Sequence, residues 1–357
     1  MKKSSDVFNK LSIALLVLST VVFGKTAFGQ SPLSWPKAAY YDDGSQTSVS
    51  IAPSGSDLSP YGRAIEFHRS QKNVIWYRIG RVDRLNSGDY FVNWANSVSL
   101  NYEGSRPSIA VTKEGYIVLV YTKSAYTGYG SEVQMRYWVG KFDLAGDNFT
   151  IDWKVRDAFY DNGQFARVSF NANNILVDVH RSARTSILYY RIGHLRNPSA
   201  GQFDIVWDSG GGGKDYDKGT NASISINDRN QIVEVHQTET EATRLYYRRG
   251  QLKTDNIAWA SNNSALYDND SKQPAVALTN QSKLIEAASR NGSIFARTGN
   301  LNTSDSARID WSNAIQIDSG GGYPGSSFPS IATNGILVIA TWESSGKLYY
   351  AITPVVQ

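Results

Sequence analysis

The sequence contains no cysteine. That absence excludes a disulfide scaffold and every metal site built on thiolate ligands. Histidine, another common metal ligand, occurs only four times in 357 residues. Charged residues make up 19% of the chain and hydrophobic residues 41%, a composition typical of a folded globular protein. Neither a metal ion nor another cofactor is expected.

Long apolar runs are also rare. Outside the N-terminus no segment approaches the roughly 18 apolar residues of a membrane-spanning helix. Lys2, Lys3 and Lys10 precede an apolar run that ends in small residues, so residues 1–29 are predicted to be a secretory signal peptide and residues 30–357 one domain. Its removal takes away four Lys and one Asp and lowers the formal net charge from +4 to +1. We therefore expect a nearly neutral secreted protein without a membrane span or a nucleic-acid partner.

Aromatic residues are plentiful, and their spacing shows a repeat. A turn rich in Asp and Gly, such as Tyr216-Asp217-Lys218-Gly219, follows each repeated tryptophan. Three short segments with alternating polar and apolar residues come next, and no segment has a capped helical period. Each repeat is therefore predicted to contain four antiparallel strands. The repeated tryptophans, each ending an apolar-x-Trp triplet, are Trp35, Trp94, Trp153, Trp207, Trp259 and Trp311.

Six four-stranded units predict an all-β fold, a six-bladed β-propeller, because radial packing covers the strand edges that an open sheet would expose. The last unit has only three predicted strands. The N-terminal segment Leu33-Ser34-Trp35 is predicted to pair with it and so close the ring.

The residues that differ between the repeats are the candidate functional residues. An acid on the second strand and an Arg on the third occur together in four blades, whereas blade two has Leu119 and Trp138 at these positions. The hairpin is expected to place Glu66 opposite Trp76 and diagonal to Arg78. The candidate binding residues are Glu66, His68, Trp76 and Arg78 in blade one; Asp178, His180, Tyr189 and Arg191 in blade three; Glu234, His236, Tyr246 and Arg248 in blade four; and Glu286 and Arg297 in blade five.

Two interpretations of this pattern remain open. The charges can be scaffold, because a buried charge must be paired. Alternatively, carboxylate and guanidinium can clamp sugar hydroxyls while an aromatic ring stacks on the sugar. In these residue types the chain resembles the six-bladed fucose-binding lectins, which repeat Arg, Glu and aromatic residues in pockets between blades. The resemblance implies several related inter-blade glycan sites without catalysis. It does not extend to fucose specificity, because the repeat sequences differ from those of the lectins.

Two other functions are retained as alternatives. A carbohydrate-active enzyme, either a glycoside hydrolase or a polysaccharide lyase, needs an unrepeated acid–base pair in one pocket, whereas His68, His180 and His236 are replicated. The Ser-x-Asp-x-Gly-x-Thr-Trp turns of six-bladed sialidases do not occur. A protein-binding propeller is the third possibility. We expect glycans or polysaccharides as partners, and the sequence leaves the sugar, any catalysis and the oligomeric state open.

Overall fold

The computed structural model describes residues 33–52, 60–127, 130–142, 149–196, 201–208, 212–241, 243–318 and 327–355. These residues form six antiparallel sheets, and this part of the chain contains no helix long and apolar enough to cross a membrane. The predicted signal peptide, residues 1–29, lies outside the described residues.

The sheets follow one another along the chain, which confirms the prediction of a six-bladed propeller. After β1 (Ala39–Asp43), blade one contains β2 (Ser45–Ala52), β3 (Arg63–Arg69), β4 (Val74–Arg84), β5 (Tyr90–Trp94) and β6 (Val98–Glu103), and blade two contains β7 (Ser105–Val111), β8 (Tyr116–Thr127), β9 (Gly130–Phe142) and β10 (Ile151–Asn162). Blade three contains β11 (Gln164–Phe170), β12 (Ile175–Arg181), β13 (Ile187–Leu195), β14 (Ile205–Trp207) and β15 (Lys214–Lys218). Blade four contains β16 (Thr220–Ile226), β17 (Gln231–Gln237), β18 (Leu245–Leu252), β19 (Ile257–Trp259) and β20 (Ala265–Asp268). Blade five contains β21 (Lys272–Leu278), β22 (Lys283–Arg290), β23 (Ser293–Leu301), β24 (Ile309–Trp311) and β25 (Ile315–Gln316). Blade six contains β26 (Ser327–Thr333), β27 (Leu337–Ser344), β28 (Lys347–Pro354) and β1.

The fourth strand of most blades is divided into two pieces that pair with the same third strand. In blade one both β5 and β6 pair with β4. Trp94 of β5 lies opposite Gly80, where a Cβ atom would come within 2.4 Å of Val92 and 3.0 Å of the indole. The same Gly–Trp pairing recurs in blades two to five. Glycine is required there because the indole occupies the space that a side chain would fill.

The ring is closed by the N-terminal strand, as predicted, but through a different segment. Strand β1 pairs with β28, whereas residues 33–35 form no strand. At the position where other blades have the glycine, blade six has Thr353, which donates a hydrogen bond to the carbonyl of Ser34 at 2.6 Å. The Thr353 side chain takes up space that the other blades leave free, so the tryptophan segment contacts β28 without pairing as a strand. The prediction that Leu33-Ser34-Trp35 is the closing strand is wrong.

The hydrophobic core lies between neighbouring sheets. Phe67 of blade one, for example, packs in one cluster with Leu119 and Trp138 of blade two. The innermost strands are also joined by hydrogen bonds from a backbone N–H to a serine of the preceding blade. Val49 N donates to Ser330 Oγ at 3.0 Å, which joins blade one to blade six.

The innermost strands β2, β7, β11, β16, β21 and β26 surround the propeller axis. They line an axial channel of about 140 Å³. We call the end at which these strands begin the upper face. The residues that begin them therefore surround the upper opening of the channel.

Candidate functional site

The predicted acids and histidines lie between neighbouring blades. In blades one, three and four the acid is fully buried, and the histidine two residues later is at most 2% exposed. Each histidine Nδ1 lies within hydrogen-bonding distance of the carboxylate. The pairs are His68–Glu66 at 3.0 Å, His180–Asp178 at 2.7 Å and His236–Glu234 at 3.1 Å.

The predicted arginines are in the same inter-blade clusters, but most of them contact a different carboxylate. Their partner is the Asp of the Tyr-Asp turn that ends the preceding blade. The ion pairs are Arg78–Asp42 at 2.6 Å, Arg191–Asp161 at 3.0 Å and Arg248–Asp217 at 3.6 Å.

Blade five differs from blades one, three and four because it lacks the histidine. Here Ala288 replaces the histidine, and Arg297 Nε donates to Glu286 at 3.1 Å while its Nη2 bonds Asp268. The acid and the Arg form a direct ion pair in this blade because no imidazole occupies the carboxylate.

The hairpin register also differs from the expectation. Glu66 lies opposite Arg78, and His68 lies opposite Trp76. The turn through Asn73, which adopts a φ of 63°, brings the two strands together two residues further along than predicted. Consequently the aromatic residue stacks on the histidine and not beside the acid: Tyr189 lies 5.8 Å from the His180 ring, with an angle of 15° between the planes. Tyr246 stacks on His236 in the same way.

Burial dominates the electrostatics of these clusters. Desolvation alone would lower the pKa of His68 and of His236, but the adjacent glutamates outweigh it and raise both pKa values. Burial raises the pKa of Asp178. It also raises the pKa of Glu286 to about 7, despite the opposing effect of Arg297.

Aromatic stacking covers the clusters further. The Tyr of each Tyr-Asp turn stacks on the repeated Trp of the next blade, as Tyr160 does on Trp207 with ring centroids 4.6 Å apart. Glycines of the turns pack on the imidazoles, and a Cβ at Gly163 would lie 2.9 Å from His180. The predicted aromatic residues Trp76, Tyr189 and Tyr246 are half-buried.

A second constellation surrounds the axis at the upper face, and sequence reasoning missed it. Near the start of every innermost strand a β-bulge places two residues opposite one residue of the neighbouring strand. The first bulged residue has a φ between 50° and 63° in all six blades, although none is glycine. The six side chains are half-buried, and we call them the axial mouth: Gln46, Arg106, Phe165, Asn221, Gln273 and Phe328.

Arg106 lies between two phenyl rings of the axial mouth. Its guanidinium carbon is 3.6 Å from the centroid of Phe165 and 5.2 Å from that of Phe328. Among the described residues, its side chain donates a hydrogen bond to one atom, Asn221 Oδ1, at 3.3 Å. Backbone N–H groups of the mouth bind neighbouring amides, and Phe328 N donates to Gln273 Oε1 at 3.1 Å.

Positive charge accumulates around this mouth. Burial and the like charges of Arg167 and Arg69 lower the pKa of Arg106 to about 10, and burial lowers the pKa of Arg167 to about 10. Arg167 donates to the carbonyl of Pro107, and Arg69 to the side chain of Asn73. Within the described part of the chain, no carboxylate lies within 4.0 Å of these three guanidinium groups.

A separate groove lies between blades one and two. This groove has a volume of about 240 Å³ and includes Arg69, Glu103, Ser105 and Lys123 in its wall. No group of three His, Asp or Glu residues in the described ranges is arranged to hold a metal ion.

The variability of the six bulge positions was the signal for this site. Aligned repeats read Ser-Arg-Pro-Ser at residues 105–108 and Ser-Phe-Pro-Ser at 327–330 and differ at the bulge alone, whereas the flanking positions also vary in the other four blades. The residues predicted as candidates lie on the second and third strands, and the bulges lie on the first.

Comparisons with known proteins give the fold alone. No family model and no curated protein matches the chain. A leech intramolecular trans-sialidase has a TM-score of 0.53 at 10% identity, covering 92% of this chain and 70% of its own. A protein of unknown function from Dyadobacter fermentans has a TM-score of 0.52 at 10% identity, covering 90% and 99%. A fungal alcohol oxidase has 0.50 at 7% identity, covering 90% and 76%. Membership of the fucose-binding lectin type stays a prediction.

Proposed function

We propose that this protein is a secreted, non-enzymatic carbohydrate-binding propeller whose saccharide site is the axial mouth. One observation carries the proposal: Phe165, Phe328, Arg106 and three primary amides lie half-buried around the axis. Aromatic faces stack on the apolar side of a sugar ring, and amides and guanidinium groups bind its hydroxyls.

The burial of the inter-blade clusters favours the axial mouth over the sites predicted between blades. Their acids are at most 1% exposed and already accept hydrogen bonds within the protein. A sugar could reach them only by separating neighbouring blades. We therefore propose that these clusters hold adjacent blades together, which is the scaffold interpretation of the same residues.

The test is a glycan array probed with residues 30–357, followed by titration calorimetry on the strongest hit. We expect Phe165→Asn to weaken binding by about tenfold or more, because it removes the phenyl ring that positions the Arg106 guanidinium, 3.6 Å from the ring centroid. Asn is tolerated at this φ, since Asn221 occupies the same position in blade four. Phe159→Asn, which alters an exposed phenyl group on the outer strand β10, is the matched control and should leave binding unchanged.

Three outcomes would contradict the proposal. Absence of any glycan hit removes the function itself. Loss of binding in Tyr189→Ala but not in Phe165→Asn moves the site to the inter-blade clusters. Release of reducing ends or unsaturated products from a polysaccharide establishes the enzyme alternative.

A further inference from the structure

We propose that the saccharide bound at the axial mouth is acidic, and that Arg106 binds its carboxylate or sulfate group with Arg167 and Arg69 beside it. This inference rests on the proposed function and specifies the class of sugar. Its basis is the charge balance of the mouth, which the protein leaves incomplete.

Partial burial of the Arg106 guanidinium has a free-energy cost. Its side chain is half-buried, its guanidinium lies between Phe165 and Phe328, and one neutral amide is its hydrogen-bond acceptor among the described residues. A buried cation is unfavourable unless an anion compensates it. Every arginine of the inter-blade clusters has such an anion, so Arg106 differs from those arginines.

The second step concerns the neighbours of Arg106. Arg167 and Arg69 add two like charges, and their hydrogen bonds go to neutral acceptors, the carbonyl of Pro107 and the side chain of Asn73. Glu343 lies on the rim, but one of its carboxylate oxygens accepts a hydrogen bond from Gln46 N at 3.3 Å. Three guanidinium groups around one acid leave the mouth electropositive. An anionic group at the axis would relieve their mutual repulsion.

The third step concerns the shape of the site. The mouth encloses only about 20 Å³ of free space, which is room for about one water molecule and too little for a sugar ring. The groove between blades one and two, of about 240 Å³, is much larger; its wall includes Arg69, Glu103 and Lys123, and Lys123 is paired with Asp157 at 3.0 Å. We infer that the acidic substituent contacts Arg106 from the open side of the mouth, while the sugar ring lies outside it.

The experiment compares Arg106→Gln with the wild type on matched acidic and neutral probes. Glutamine suits this backbone, because Gln46 and Gln273 occupy the same bulge position in other blades. The probes are oligogalacturonate, its methyl ester, a sulfated galactan and the desulfated galactan. We expect Arg106→Gln to weaken the binding of the acidic probes by about tenfold or more, the effect of one charge-assisted hydrogen bond, and to leave neutral probes unaffected.

Arg184→Gln is the control, since it removes one exposed positive charge from a turn of the upper face. It should leave the affinity for acidic probes nearly unchanged. Inorganic sulfate provides a readout that needs no sugar: it should raise the melting temperature of the wild type but not of Arg106→Gln. If Arg106→Gln does not fold, Arg167→Gln is measured on the same probes with the same expected loss.

The outcomes separate this inference from the proposed function. Binding of neutral glycans alone, lost in Phe165→Asn, would keep the function and overturn the acidic ligand. Equal loss of acidic binding in Arg106→Gln and Arg184→Gln would reduce the effect to overall charge and also overturn it. Sulfate stabilisation without any glycan binding would leave an anion site and overturn the proposed function.

Discussion

At the residue scale, the inter-blade clusters show that one side chain decides the partner of a buried carboxylate. Where a histidine follows two residues after the acid, the imidazole takes the carboxylate and the arginine turns to the Asp of the preceding blade. Where Ala288 replaces it, Arg297 reaches Glu286 directly. The sequence predicted that these residues belong together, because they vary together between repeats. It could not predict the partners, because these depend on a turn that comes from another blade.

Glu286 gives a testable pH dependence. Burial raises its pKa to about 7 in the folded state, so between about pH 4.5 and 7 the folded protein binds more protons than the unfolded chain. Stability should therefore fall as pH rises through this window, by up to about 3 kcal/mol. Urea denaturation of the wild type and of Glu286→Gln at pH 5 and pH 8 measures this effect. The fall in the free energy of unfolding should be smaller in the variant.

The control for this measurement is Glu103→Gln, which alters an exposed carboxyl group and should follow the wild-type pH dependence. Parallel pH profiles for the wild type and Glu286→Gln would show that Glu286 titrates near its ordinary pKa.

At the scale of elements, strand identity was predictable and strand continuity was not. Alternating residues and the repeated tryptophans predicted all six blades. The altered start of the fourth strand in blade six depends on what lies opposite the tryptophan. Five blades have a glycine there and the sixth has Thr353, a difference between strands that are distant in sequence. Because that contact is non-local, the sequence pattern predicts residues 33–35 as the closing strand, whereas the structure has β1 there.

N-terminal truncations test the closing strand. A chain that begins at Ala39 loses Leu33 and Ala38, both buried, but keeps β1. A chain that begins at Gly44 also loses the β1–β28 pairing and the stacking of Tyr41 on Trp94 at 5.2 Å. We expect the first truncation to cost about 2–5 kcal/mol, the value for one large core side chain, and the second to cost clearly more. Thermal unfolding monitored by circular dichroism gives the order. Equal melting temperatures for the two truncations would mean that β1 does not close the ring.

At the scale of the whole molecule, the two ends of the described chain lie side by side. Thr353 hydrogen-bonds Ser34, and β1 completes the sheet that β28 belongs to. The ring was predictable because the first and last repeats are complementary parts of one blade. The chemistry of its centre was not, because six residues separated by more than 50 positions on average meet only when the ring closes.

A circular permutant tests this closure. A short linker joins the C-terminus to residue 33, and new ends are placed at the turn after β21, between Asn280 and Gln281. Since every blade keeps its full set of strands, we expect a melting temperature within a few degrees of the wild type. The chain that begins at Gly44 is the comparison, because it has intact loops and an incomplete blade. A permutant that is as unstable as this truncation would contradict closure through blade six.

The six bulges have a consequence for how such a protein diversifies. Each fixes the same left-handed backbone geometry through the strand ladder, and Gln, Arg, Phe and Asn all already occupy it in this chain. The strand ladder thus sets the backbone of each bulge and several side chains fit it, although Gln46 and Gln273 also accept hydrogen bonds from the backbone of the next blade. The codons of these six residues define a compact combinatorial library, in which ligand preferences could be selected on one framework.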